Sequence, residues 1–135
     1  MTEIIKVSSY AKGITHANRK VGLVASLVRN RTVADALVIL SHTPKRAALP
    51  VIKAIESIKS NAINTHGLNS KTLFISTISV TSGTRLKRYM PASRGRALQF
   101  EKKTSNILIE LSGEMKPIKK PVTKPAEKKE SNNGE

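Results

Sequence analysis

Apolar residues recur three and four apart through the first half of the chain and in β-rich runs through the second, so a helical part is expected to give way to strands. Val21, Val24, Leu27 and Val28 form one helical stripe over residues 18–30, with Arg19, Lys20, Arg29 and Arg31 placed around it. Thr32 can cap a short second helix in which Val33, Ala36, Leu37 and Leu40 share a face before Ser41 and His42 end it. Thr43-Pro44 then reads as a cap followed by a first-turn proline, and Ala48, Val51, Ile52, Ile55, Ile58 and Ala62 carry a third stripe that Gly67 closes. Pro50 conflicts with that start, because a proline past the first turn loses a backbone bond and presses on the carbonyl of Arg46. A kink or a later start is expected.

Past Gly67 the pattern changes. Residues 72–81 are rich in Ile, Thr, Val and Phe, and residues 99–111 end in Ile107-Leu108-Ile109, so both read as strands. The polar stretch between them, punctuated by Gly83, Pro91 and Gly95, predicts that the strands continue as an antiparallel ribbon beyond the helices. About ten residues per arm, at about 3.3 Å each, reach about 30 Å. A two-stranded ribbon alone in water is marginal, so this arm should become rigid only inside a partner. The expected fold class is α+β: three helices packed on a small antiparallel sheet with a long extended β-hairpin. One domain is expected over residues 1–112, with the hairpin at about 81–103.

Composition narrows the picture. Of 135 residues only 3% are aromatic, and there is no Trp, so the core should be small and aliphatic. The absence of Cys removes disulfides, thiol catalysis and cysteine zinc sites. Met1 to Tyr10 lacks the basic and apolar runs of a secretory leader, and no stretch approaches the roughly 18 apolar residues of a spanning helix. A soluble cytoplasmic protein without a membrane partner is expected. From Gly113 onward Lys, Pro, Glu, Ser and Asn replace packable residues, which predicts a disordered tail over 113–135 whose removal spares folding.

The formal net charge is +15; six lysines and four glutamates leave +2 on the tail and hence +13 on the body. Thr84 to Phe100 contains Arg85, Lys87, Arg88, Arg94 and Arg96 and no acidic residue. Such a segment repels itself unless a polyanion neutralises it, and nucleic acid is favoured over membrane because no helix pairs a basic face with Trp or Phe anchors. The four arginines suit phosphates through their planar forks. Tyr89, beside Met90 and Pro91, could stack on a base or pack on Leu86 across the ribbon. His16, His42 and His66 fall near helix ends, where capping or exposure is ordinary, and no metal site is expected. The carboxylates Glu3, Asp35, Glu56, Glu101 and Glu110 are too scattered for magnesium-dependent nuclease chemistry. Thr104 and Ser105 have no base beside them and read as backbone contacts, so neither an enzyme nor a cofactor is expected.

From Ala11 to Ser112 the order of segments resembles the bacterial large-subunit ribosomal protein family L-twenty-two. The most specific piece is Gly83-Thr84-Arg85-Leu86-Lys87-Arg88-Tyr89-Met90-Pro91-Ala92-Ser93-Arg94-Gly95-Arg96-Ala97, similar to that family's hairpin of Gly, Lys-Arg, Pro and Gly-Arg-Ala. Lys102-Lys103-Thr104-Ser105 resembles the basic Thr-Ser element of its last strand, Arg19-Lys20-Val21 with Leu23-Val24-Ala25 its first helix, and Asn61-Ala62 with His66-Gly67-Leu68 the end of its long helix. The chain departs from the family at Ala17-Asn18 (usually Ser-Pro), Gly22 (Arg), Asn30 (Gly) and Asn106 (His).

The resemblance implies a structural component of the large ribosomal subunit, with its body near the exit of the nascent-peptide tunnel and its arm threaded between rRNA domains toward the constriction. It also implies a role in subunit assembly. Expected partners are large-subunit rRNA, neighbouring ribosomal proteins including protein four, and the passing nascent peptide. On the body, Arg19, Lys20, Arg29, Lys45 and Arg46 are the expected rRNA contacts; on the arm and its root, Arg85, Lys87, Arg88, Arg94, Arg96, Lys102, Lys103 and Thr104. The expected tip and tunnel lining is Leu86, Lys87, Arg88, Tyr89, Met90, Pro91, Ala92, Ser93 and Arg94, and Leu86, Lys87 and Arg88 are implied positions for altered macrolide response. The competing reading is a histone-like DNA-bending protein with a basic ribbon and a wedging proline. Element order opposes it, since three helices precede a single ribbon here.

Overall fold

A computed structural model describes residues 4–115. The order is β1 (Ile4–Ile14), α1 (Asn18–Val28), α2 (Val33–Ser41), α3 (Ala48–Asn64), β2 (Phe74–Pro91), a short 3-10 turn (Ser93–Gly95) and β3 (Ala97–Glu114). The strands form one antiparallel sheet in the order β1-β3-β2, so the C-terminal strand is central and the first and second strands are edges. The expected architecture is present, with β1 an addition that the hydrophobic pattern did not predict.

The helices cover one face of the sheet, α1 over β2 and α3 over β1 and β3. Val21, Val24, Ala25 and Val28 of α1, Ala36 and Leu40 of α2, and Val51, Ile55, Ile58 and Ala62 of α3 meet Val7, Ile75, Ile78, Ile107, Ile109 and Leu111 from the strands. Leu27, expected in the first stripe, is instead 45% exposed, and Ala25 takes its place. Tyr10, Phe74, Tyr89 and Phe100 all stand on the surface, so the core is wholly aliphatic.

Pro50 is accommodated by the later start. The helix begins at Ala48, so the proline occupies its first turn, where a missing N–H costs nothing. Thr43 therefore does not cap α3; its hydroxyl donates back to the carbonyl of Ile39, 2.7 Å away. Thr32 caps α2 as expected, accepting from the backbone N–H of Asp35 at 3.2 Å and donating to that side chain.

Burial alternates along β3 from Ser105 through Gly113, then stops toward the arm, whose residues are almost all exposed. That change divides the sheet into a packed half and a free half. The tail assigned by composition begins too early: Gly113 and Glu114 pair with Ile5 and Ile4, and Glu114 O accepts from Asn69 N at 2.9 Å. Gly113 lies so close to Leu73 that an added Cβ would come within 2.8 Å of its Cδ2. The remainder, 116–135, lies outside the described residues.

Candidate nucleic-acid interface

The arm is a regular ladder. Arg85 pairs with Lys103, Leu86 with Lys102, Lys87 with Glu101, Arg88 with Phe100, Tyr89 with Gln99, Met90 with Leu98 and Pro91 with Ala97. Cross-strand partners share a face and neighbours alternate, so this register sorts the side chains. One face carries Leu86, Arg88, Met90, Leu98, Phe100 and Lys102; the other carries Arg85, Lys87, Tyr89, Gln99, Glu101 and Lys103. Both faces are cationic, and only the first is rich in apolar groups. Tyr89 and Leu86 fall on opposite faces, which removes the packing of one on the other. The tyrosine is 70% exposed.

The turn that closes the arm is Ala92 to Arg96. Ala92 N donates to Arg96 O at 2.8 Å, and Arg94 and Gly95 take positive φ values of 56° and 70°. Two successive left-handed residues bend the chain tightly, easily at Gly95 and with strain at Arg94. Arg94 and Arg96 sit on this turn, whereas Leu86, Lys87 and Arg88 lie three to five pairs down the shaft, about 10 to 16 Å from the closing pair.

Electrostatically the arm is almost uncompensated. Among the described residues the ion pair is Arg85 with Glu101, 3.6 Å apart, both partners partly exposed. Glu101 follows the acid-free segment in sequence, and strand pairing folds it back onto Arg85, which linear charge counting misses. Such an exposed pair contributes little and competes weakly with a polyanion.

At the root of the arm several expected contacts converge. Asn18, Arg19, Ser82, Gly83, Arg85, Lys103 and Thr104 line a small cleft of about 200 Å³. Asn18 Nδ2 donates to Ser82 Oγ at 2.9 Å, tying the start of α1 to β2, and Thr104 Oγ1 donates to Thr84 O at 2.7 Å. Gly83 is required there, because a Cβ would come within 2.5 Å of Thr104 Oγ1. Thr104 thus makes the backbone contact expected of it, but Ser105 does not: its hydroxyl is buried without a partner among the described residues. Asn106, where the resembling family has His, accepts from Gly13 N at 3.0 Å beside an irregularity in β1.

The body contacts divide. Arg19 joins the arm root, while Lys20, one residue and about 100° further round α1, lines a second cleft with His16, Leu23, Pro44, Lys45, Arg46 and Ala47. Arg29 is partly committed to the fold, donating to Ile78 O at 3.3 Å. His42 and His66 are exposed, as expected, but His16 is half-buried with Nδ1 unpartnered among the described residues. Sequence reading also passed over Lys53, which lines a shallow cleft beside His16. No group of three His, Asp or Glu that could hold a metal occurs among the described residues, and none of the described helices is long and apolar enough to cross a membrane.

A small helical body that projects a bare cationic ribbon, with further cations gathered at the ribbon's root, is the build of a nucleic-acid-binding structural protein. The family model described as ribosomal protein L22p/L17e matches residues 9–112, and the chain belongs to that family. Curated relatives named large ribosomal subunit protein uL22 include that of Mesoplasma florum, 40% identical over 110 residues, covering 82% of this chain and 98% of the relative. The protein of Mycoplasmopsis pulmonis is 37% identical over 80% of this chain and 98% of its own length, and that of Metamycoplasma hominis 45% identical over 70% and 73%. Membership replaces the DNA-bending alternative and places the chain among proteins that are not enzymes.

Proposed function

We propose that the chain is a structural, rRNA-binding constituent of the large ribosomal subunit, with its ribbon embedded in rRNA and lining the nascent-peptide exit tunnel. Family membership supports this role, and the observation that carries the mechanism is the exposed ladder of the arm, whose cations are left almost unused by the protein's own fold. The arm contributes Arg85, Lys87, Arg88, Arg94, Arg96, Lys102 and Lys103 to phosphate contact; Arg19 and Thr104 act at its root. Arginine forks fix the orientation of the ribbon, and the lysines add point charge. Binding releases counterions from the RNA, so affinity falls steeply with salt.

The closing turn and the shaft from Leu86 to Pro91 run along the tunnel, one face of the ladder toward its lumen and the other against rRNA, with the turn reaching the constriction beside protein four. Leu86, Lys87 and Arg88 are then the positions where substitution alters macrolide response by displacing the shaft. A filter-binding comparison of large-subunit rRNA with duplex DNA at physiological salt tests the reading. Preference for rRNA is expected, and equal or tighter binding to DNA overturns it. Replacing Arg85, Lys87, Arg88, Arg94 and Arg96 by neutral residues should leave the body folded and flatten the plot of log affinity against log salt by about 3 to 4 units. An unchanged slope removes the arm as the contact.

A further inference from the structure

The cleft on the body has a composition that phosphate contact alone does not explain. Its volume, about 520 Å³, lies within the roughly 300–1,000 Å³ of small-molecule sites. Leu23, Pro44 and Ala47 give it an apolar wall, while Lys20, Lys45 and Arg46 supply cations, all three exposed and without an acidic partner among the described residues. His16 also lines it, and its Nδ1 is shielded from solvent with no hydrogen-bond partner among the described residues, so a ligand meets that atom only when the ring turns. A bare phosphate would use the cations and leave the apolar wall and the imidazole idle. A duplex cannot enter a concavity of this size.

A single nucleotide extruded from the RNA satisfies all three features. Its base has an apolar face for Leu23, Pro44 and Ala47, and its edge has donors and acceptors that meet the His16 imidazole once the ring turns toward the cleft. Its flanking phosphates reach the cations at the rim. We propose that this cleft, between the start of α1 and the α2–α3 connection, receives one unpaired nucleotide of large-subunit rRNA and anchors the body independently of the arm. This inference rests on the rRNA-binding reading above.

The test uses the full chain bound to protein-free large-subunit rRNA. A benzophenone amino acid replaces Leu23, which is 68% exposed and dispensable for packing, or replaces Lys87 on the arm in a second preparation. Crosslinks are mapped as reverse-transcription stops. One stop at an unpaired nucleotide is expected from position 23. No stop there, or stops spread over duplex, while position 87 crosslinks, overturns the cleft and leaves the rRNA reading standing; failure at both positions overturns both. In parallel, Leu23→Ser should weaken rRNA binding about fivefold with no change in salt slope, since it removes apolar contact and no charge. Lys45→Ala with Arg46→Ala should lower affinity and reduce the slope by about 1.5. Full affinity in Leu23→Ser contradicts a seated base.

Discussion

Ala17 opens α1 with the backbone of a cap, φ −66° and ψ 141°, but its side chain has no oxygen to offer. Ala17→Ser should therefore stabilise the protein by about 1 kcal/mol in urea unfolding, by supplying an acceptor for the unpaired N–H groups of the first turn. Asn30 presents the opposite case. Its φ of 55° lies in the left-handed region that Asn tolerates better than most side chains, so Asn stands where the resembling family has Gly without needing a different backbone. Asn30→Gly should be nearly neutral, while Asn30→Ala should cost about 1 kcal/mol in the same measurement. Both residues could be singled out from sequence as departures, because local backbone chemistry decides them. His16 could not, because its environment comes from Pro44 to Pro50, about thirty residues downstream. Ser105 escaped for a similar reason: its burial follows from pairing with both Ile14 and Ser82.

Among the elements, the three helices were legible because each carries its own period, although Thr43-Pro44 points to an earlier start for the third and Pro50 signals only a kink or a later one; it starts at Ala48. The first strand was not. Along β1 the inward positions are Ile5, Val7, Ser9 and Ala11, the outward ones include Ile4 and Tyr10, and only Val7 is fully buried, so no clean alternation exists to be read. What defines β1 is the open edge of β3, a partner about a hundred residues away. The same pairing moves the end of the domain. Cutting the chain after Ser112, which composition suggested was harmless, removes the pairs of Gly113 and Glu114 and the bond from Asn69. It should cost about 2 kcal/mol, whereas a cut after Met115 leaves the described pairing intact. Thermal unfolding of the two truncations separates these outcomes.

For the whole molecule, one sheet serves two environments. Its helix-covered half is sealed by aliphatic packing, and its free half, with neither helix nor third strand beyond Ile14, has only the ladder to hold it. Amide exchange in the isolated protein should therefore be slow at Ile107 to Leu111 and fast from Arg85 to Lys102, with the arm becoming protected when large-subunit rRNA is added. Equal protection in both halves without RNA would show the arm to be self-supporting. The overall charge and the arm were apparent from sequence because they depend on a contiguous segment. The division of Arg19 from Lys20, adjacent in the chain and serving different clefts, required the helix to be seen in place.

Because Tyr10 and Tyr89 both stand on the surface and no tryptophan exists, the intrinsic emission of this protein is a poor thermometer of its own unfolding. It should serve instead as a built-in sensor of occupancy, dimming as bases stack on the fluorophore at Tyr89, so that assembly could be followed by light without attaching a dye.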